Sequence, residues 1–144
     1  MQLSALLGAK GTDVVTIKPE ATVSQLVALL AKHGIGAVVV SSDTRSITGI
    51  VSERDVVRAL HLGQDRLHES VSAIMTTHVF CAPPDADVDE VMRLMTERRV
   101  RHIPIVDDDG LLLGIVSIGD IVKSRLSELE GERAALMDYI TRGG

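Results

Sequence analysis

Aromatic side chains are almost missing from this chain. Phe80 and Tyr139 are the whole supply, and there is no Trp. A core must be built from Val, Ile, Leu, Ala and Met, and no aromatic platform is available for stacking single-stranded bases. Cysteine is reduced to Cys81. That excludes an internal disulfide, fits a reducing compartment, and reads as a small buried apolar residue rather than a nucleophile. No stretch approaches the ~20 apolar residues of a membrane span. The start, Met1-Gln2-Leu3-Ser4-Ala5-Leu6-Leu7, lacks the basic leader and apolar run of a signal peptide. A basic patch is missing too: net charge is −5 and the 15 Lys and Arg are spread along the chain. Nucleic acid and membrane are therefore not expected partners, and the cytoplasm is the expected compartment.

What is present is apolar content of 45% in 144 residues, enough for one compact domain or two small units sharing a core. There is also a repeat. Gly49-Ile50-Val51-Ser52-Glu53-Arg54-Asp55 returns as Gly114-Ile115-Val116-Ser117-Ile118-Gly119-Asp120, an offset of 65 residues. The same offset carries Pro19 onto Pro84, Val23 onto Val88, Leu29 onto Leu94 and Asp43 onto Asp108. About a dozen identities over roughly 44 ungapped positions mark one duplicated unit.

The doubled motif is a strand running into a helix. Ile-Val is β-branched, Ser can cap the free N–H groups of a helix, and Asp three residues on completes a capping box with Asp in place of Glu. Two readings stay open. The motif may be read as a cap alone, or as a site, since a helix N-terminus attracts anions and a carboxylate there can accept from a ribose diol. Duplication copies either one.

Taken in order, Ser4 to Lys10 is expected to form a short helix ended by Gly11. Val14, Val15 and Ile17 read as a strand. Thr22 caps a helix with Val23, Leu26, Val27, Leu29 and Leu30 at helical spacing, and Gly34 ends it. Val38 to Val40 and Ile47 to Val51 are strands around a polar turn, and Ser52 opens the next helix. The polar stretch 63–70 is the expected linker between a first unit, 1–62, and a second, 71–125. In the second, Val71 to Met75 reads as a short helix, Val79 to Cys81 as a strand and Val88 to Met95 as an amphipathic helix. Ile103 to Val106 and Leu111 to Val116 are strands, and Ser117 is a cap. Residues 126–144 form a tail of one or two further helices. The fold class is α/β (α+β), two β-α-β-β-α units packed about a pseudo-twofold axis, because about 45 residues barely support a core alone.

Two such units, each ending in Gly-Ile-Val-Ser-x-x-Asp, resemble a pair of CBS domains, named for cystathionine β-synthase. The resemblance covers Val14 to Lys123, with Ile74-Met75-Thr76 leading into the second repeat and Arg101-His102-Ile103-Pro104-Ile105-Val106 as its second strand. It implies a sensor of adenine nucleotides with two clefts and no catalytic cofactor. By resemblance one cleft takes Val79, Phe80, Val100, Arg101, His102, Pro104, Ser117 and Asp120. The other takes Val14, Val15, Ile35, Gly36, Ala37, Val39, Ser52, Arg54 and Asp55. The Asp holds the ribose and the basic residues hold phosphate. The Asp120 cleft is favoured because Arg101 can grip phosphate with paired donors, although Arg101 could also serve the other cleft. The few basic groups near it favour AMP or a dinucleotide such as NADH over ADP and ATP.

The alternatives are of other classes. An interaction module with vestigial clefts would use the amphipathic tail and an unknown protein partner. An enzyme is not expected, because no nucleophile is paired with a base by a recognisable motif. No metal is expected: His33, His61, His68 and His78 show no ligand spacing, and the Asp107 to Gly110 turn lacks the later ligands of a calcium loop. Gly34-Ile35-Gly36 lacks the third Gly of a dinucleotide fingerprint. A homodimer is expected from the resemblance.

Overall fold

A computed structural model describes residues 1–10 and 14–143. The elements run α1 (Leu3–Lys10), β1 (Thr16–Ile17), α2 (Val23–His33), β2 (Ala37–Val40), β3 (Gly49–Ser52) and α3 (Glu53–Leu62), then α4 (Val88–Arg98), β4 (His102–Val106), β5 (Leu112–Ser117) and α5 (Ile118–Thr141). The first repeat forms a sheet of order β1-β2-β3, with β1 parallel and β3 antiparallel to β2; the second forms the β4-β5 hairpin. The expected end of α1 at Gly11 lies outside the described residues.

Each helix starts where its cap is written. Thr22, Ser52 and Ser117 each accept from the N–H three residues on, and the Gln25, Asp55 and Asp120 side chains accept in return. Gly34 ends α2 in the left-handed region at φ 60, a conformation that costs a residue without a β-carbon nothing.

Each repeat has its own core. Val23, Leu26, Val38, Val40, Val51 and Val56 fill the first, and Val88, Val91, Met95, Ile103, Ile105 and Val116 fill the second. Val38 and Val40 face the helices, so the intervening Val39 must face the other way, and it is fully buried.

Three expectations are corrected. The strand placed at Val79 to Cys81 reduces to a single parallel bridge between Ala82 and Ile105, because Pro83 follows at once and cannot donate to a ladder. The expected linker 63–70 holds a 3-10 turn over Gln64–His68, and Ser70 bridges to Thr22. The short helix at Val71 to Met75 is a 3-10 turn over Val71–Ala73. The tail is no separate helix. It continues α5 without a break from Ile118 to Thr141, since it contains no Pro and Gly131 alone does not stop it.

The N-terminal segment, grouped by sequence order with the first repeat, packs on the second. Leu3 is fully buried in the second core, and Leu3 N–H and Ser4 N–H donate to the carbonyls of Ala86 and Pro84. The lead-in to the second repeat crosses the other way. Thr76 and Ile50 exchange backbone hydrogen bonds at 2.8 and 2.9 Å, extending the first sheet beyond β3.

Candidate functional site

The cleft is built from the β3–α3 junction outward. The N–H and hydroxyl of Ser52 donate to Asp55 Oδ2 at 2.8 and 3.1 Å, and Asp55 N–H donates back to Ser52 Oγ at 3.3 Å. This holds the carboxylate at the helix start, and Oδ1 has no partner among the described residues. Arg54 and Arg58 follow on α3 at i and i+4, so both lie along one side of the helix.

The second repeat supplies the other part of the lining. Arg99 caps α4 in the left-handed region at φ 54. That turn leads directly into Val100, Arg101 and His102. The stretch Thr76 to Phe80 adds an apolar wall. Its Phe80 ring stacks edge-on to His78, with centroids 5.2 Å apart, and the Arg98 guanidinium lies 5.1 Å from the ring centroid.

Together these residues enclose a cleft of about 520 Å³, within the range of small-molecule sites. Its apolar lining is Ile50, Val57, Val79, Phe80 and Val100; its cations are Arg54, Arg58, Arg99 and Arg101. None of these four guanidiniums forms an ion pair among the described residues. Where the repeats meet, Gly36 makes room. A β-carbon there would stand 3.3 Å from Glu53 Oε1 and 3.6 Å from His102 Cε1.

The structure groups the expected site residues differently from the two clefts expected from sequence. Gly36, Ala37, Ser52, Arg54 and Asp55 line the same cleft as Val79, Phe80, Val100, Arg101 and His102. Ser117 and Asp120 do not line it: they form the equivalent cap at the start of α5, with Ser117 N–H donating to Asp120 Oδ2 at 2.9 Å. Val39 and Pro104 are buried in the sheets, and Val14, Val15 and Ile35 are half-buried outside this cleft. Arg101 thus sits with Asp55 and not with Asp120.

Sequence reasoning missed Ile50, Glu53, Val57, Arg58, Thr76, His78 and Arg99. Arg58 was signalled by its spacing from Arg54, and Arg99 by the run Arg98-Arg99-Val100-Arg101. Cys81 is outside the cleft and exposed, rather than buried as expected, because it stands on the irregular segment before Pro83; partial desolvation pushes its thiol above the ordinary value, which keeps it protonated at neutral pH. Among the described residues no group of three His, Cys, Asp or Glu is placed to hold a metal ion, and no helix is long and apolar enough to cross a membrane.

Comparison with known proteins gives the same architecture. A CBS-domain protein from Agrobacterium tumefaciens superposes with a TM-score of 0.82 at 40% identity, covering 87% of this chain and 99% of that one. A CBS domain protein from Pyrobaculum aerophilum complexed with AMP matches at 26% identity and a TM-score of 0.74, covering 83% and 89%. A CBS domain pair in complex with 5-methylthioadenosine and S-adenosyl-L-methionine matches at 27% and 0.75, covering 88% and 98%. The chain spans 57% of the length of a curated relative from Methanopyrus kandleri, and 22% of an inosine-5'-monophosphate dehydrogenase from Methanocaldococcus jannaschii. The family model for the CBS domain matches residues 11–62 and again 71–127. With the fold, the repeat and the family model in agreement, this chain belongs to the CBS-domain family and carries two tandem copies of the domain.

Proposed function

We propose that the chain is a regulatory module that binds an adenosine-containing ligand and signals by a change of shape. The observation that carries this reading is Asp55: a carboxylate with one oxygen fixed by Ser52 and the other unengaged, beside an apolar slot and a group of cations. The base lies against Ile50, Val79 and Phe80, the ribose hydroxyls donate to Asp55 Oδ1, and phosphate oxygens accept from the arginines. AMP, ADP, ATP and NADH all have these parts. The complexes of relatives with AMP, and with 5-methylthioadenosine and S-adenosyl-L-methionine, support the class of ligand.

The cleft is lined by both repeats, so a ligand favours whichever arrangement of them it binds more tightly, by the difference in affinity and no more. No chemical step is assigned. The output is a surface presented to a protein partner or to a second copy. A homodimer is supported by the exposed apolar residues Val57, Leu62, Val122, Leu126 and Leu129 on α3 and α5; a monomer by light scattering at micromolar concentration would contradict it.

Calorimetric titration with AMP, ADP, ATP, NADH and S-adenosylmethionine tests the binding reading. Saturable heat from any of them, reduced about tenfold in affinity or more by Asp55→Ala, is the expected result. Silence from all five, after co-purified nucleotide has been removed, would leave a protein-interaction module whose Ser and Asp are caps alone.

A further inference from the structure

The four arginines of the cleft are distributed in a way the repeat does not require. Arg54 and Arg58 come from α3 of the first repeat, Arg99 and Arg101 from the α4–β4 turn of the second. Shifted by the repeat offset, their counterparts are Gly119, Lys123, Gly34 and Gly36. One cation therefore stands in the symmetry-related positions where this cleft has four. Duplication of a common unit does not account for the cluster.

The cluster is also unbalanced. The cleft lining has two carboxylates, Glu53 and Asp55, and Asp55 is tied to Ser52 at the helix start. None of the four guanidiniums is ion-paired among the described residues. Against those two carboxylates the four guanidiniums leave an excess of two positive charges, and the cations stand in two pairs on different repeats. A single phosphate presents its charge at one point, about two negative charges at most, whereas a phosphate chain offers separate charged groups to the two pairs.

We propose that the Asp55 cleft selects adenosine ligands bearing a linear di- or triphosphate, with the phosphate chain bridging the Arg54–Arg58 pair and the Arg99–Arg101 pair, and that each chain has one such site. This rests on reading the cleft as an adenosine site. It reverses the leaning toward AMP that the sequence gives, because the sequence does not show that both arginine pairs share a cleft. It also gives the ligand a mechanical role. Each arginine pair belongs to a different repeat, so charge neutralisation by one anion joins the repeats, and a shorter anion that meets only one pair joins them less.

The test is competitive calorimetry on the full chain in EDTA with AMP, ADP, ATP, NADH and inorganic tripolyphosphate. NADH serves as a control because its two phosphates are diesters with one charge each. The expected result is one site per chain, with ATP bound about tenfold or more tightly than AMP or NADH, and tripolyphosphate competing with ATP. In the double variant Arg54→Gln, Arg58→Gln the ratio of AMP to ATP dissociation constants should fall toward one. Both side chains are exposed on α3, and circular dichroism confirms that the variant is folded. AMP or NADH binding as tightly as ATP would overturn the proposal and leave the adenosine reading standing. Tripolyphosphate binding while AMP and ATP compete no better than it does would keep the arginine clamp and overturn the adenosine reading. No binding by any of the five would overturn both.

Discussion

Asp55 and Ser52 hold each other in both directions, and the hold uses one carboxylate oxygen of Asp55. Oδ2 accepts from the N–H and the hydroxyl of Ser52, while Oδ1 is left unengaged among the described residues. The residue therefore caps α3 and offers an acceptor to the cleft at once. Asp120 caps α5 in the same manner from outside the cleft. Asp55→Ala and Asp120→Ala should each lower stability by about 1 kcal/mol, as loss of a cap does. Thermal melts with and without ATP separate the two roles. The ligand-dependent rise in Tm at a fixed ATP concentration should shrink in Asp55→Ala and persist in full in Asp120→Ala; equal losses would place the ribose contact elsewhere.

The two glycines that open the repeated motif are packed for different reasons. A β-carbon on Gly49 would stand 2.7 Å from the carbonyl oxygen of Thr76 and 2.8 Å from Met75 Sδ. That carbonyl is fixed by Ile50 N–H at 2.9 Å. On Gly114 the β-carbon would meet Cδ2 of Leu7, the end of a side chain on α1 that can turn aside. Gly49→Ala should cost about 2–3 kcal/mol, as overpacking against an immobile group does, and Gly114→Ala markedly less. Urea midpoints decide the order.

Leu3 gives a prediction that its position near the chain terminus would not suggest. Terminal residues usually tolerate change, but Leu3 is fully buried among Val88, Met95, Ile103 and Val116. Leu3→Ala should cost about 3 kcal/mol. A loss below ~1 kcal/mol, the scale of an exposed site, would show that α1 is not seated in solution.

The Asp43 carboxylate is held by the turn between β2 and β3. Ser46 N–H and Arg45 N–H donate to Oδ1 at 2.7 and 2.9 Å, with the hydroxyls of Ser46 and Ser41 adding to them. These donors hold its pKa far below the ordinary carboxylate range. As pH falls, the unfolded chain takes up the proton first. The contribution of Asp43 is therefore present above about pH 4, the unfolded value, and is lost progressively below it. Asp43→Asn should flatten the fall in stability between about pH 4 and 2. An unchanged acid limb would refute this.

Much of the fold is legible because it is local. Thr22, Ser52 and Ser117 each announce a helix start, Gly34 announces an end, and the β-branched runs at Val38 to Val40 and Ile103 to Val106 are strands. The residues that line the candidate cleft are partly legible too, while their grouping is not. Which side of the pseudo-twofold axis Arg101 reaches depends on how the repeats pack, and no periodicity in either repeat encodes that. The same holds for α1, whose few apolar residues do not name the core they enter. Val79 to Cys81 has strand composition, but Pro83 leaves room for only a single bridge.

The docking of α1 has a further consequence, for the time course of synthesis. The α1 helix is synthesised before either repeat, yet it closes over a core that is completed only by Val116 and Ile121. The lead-in at Thr76 meanwhile pairs with the first sheet. Neither half is finished until residues of the second repeat have been made. A nascent chain carrying only the first repeat therefore has Leu3 without its socket and β3 without its neighbour. Such non-local closure is slow and leaves apolar surface waiting. Folding of each repeat therefore waits on a segment from outside its own stretch of the sequence.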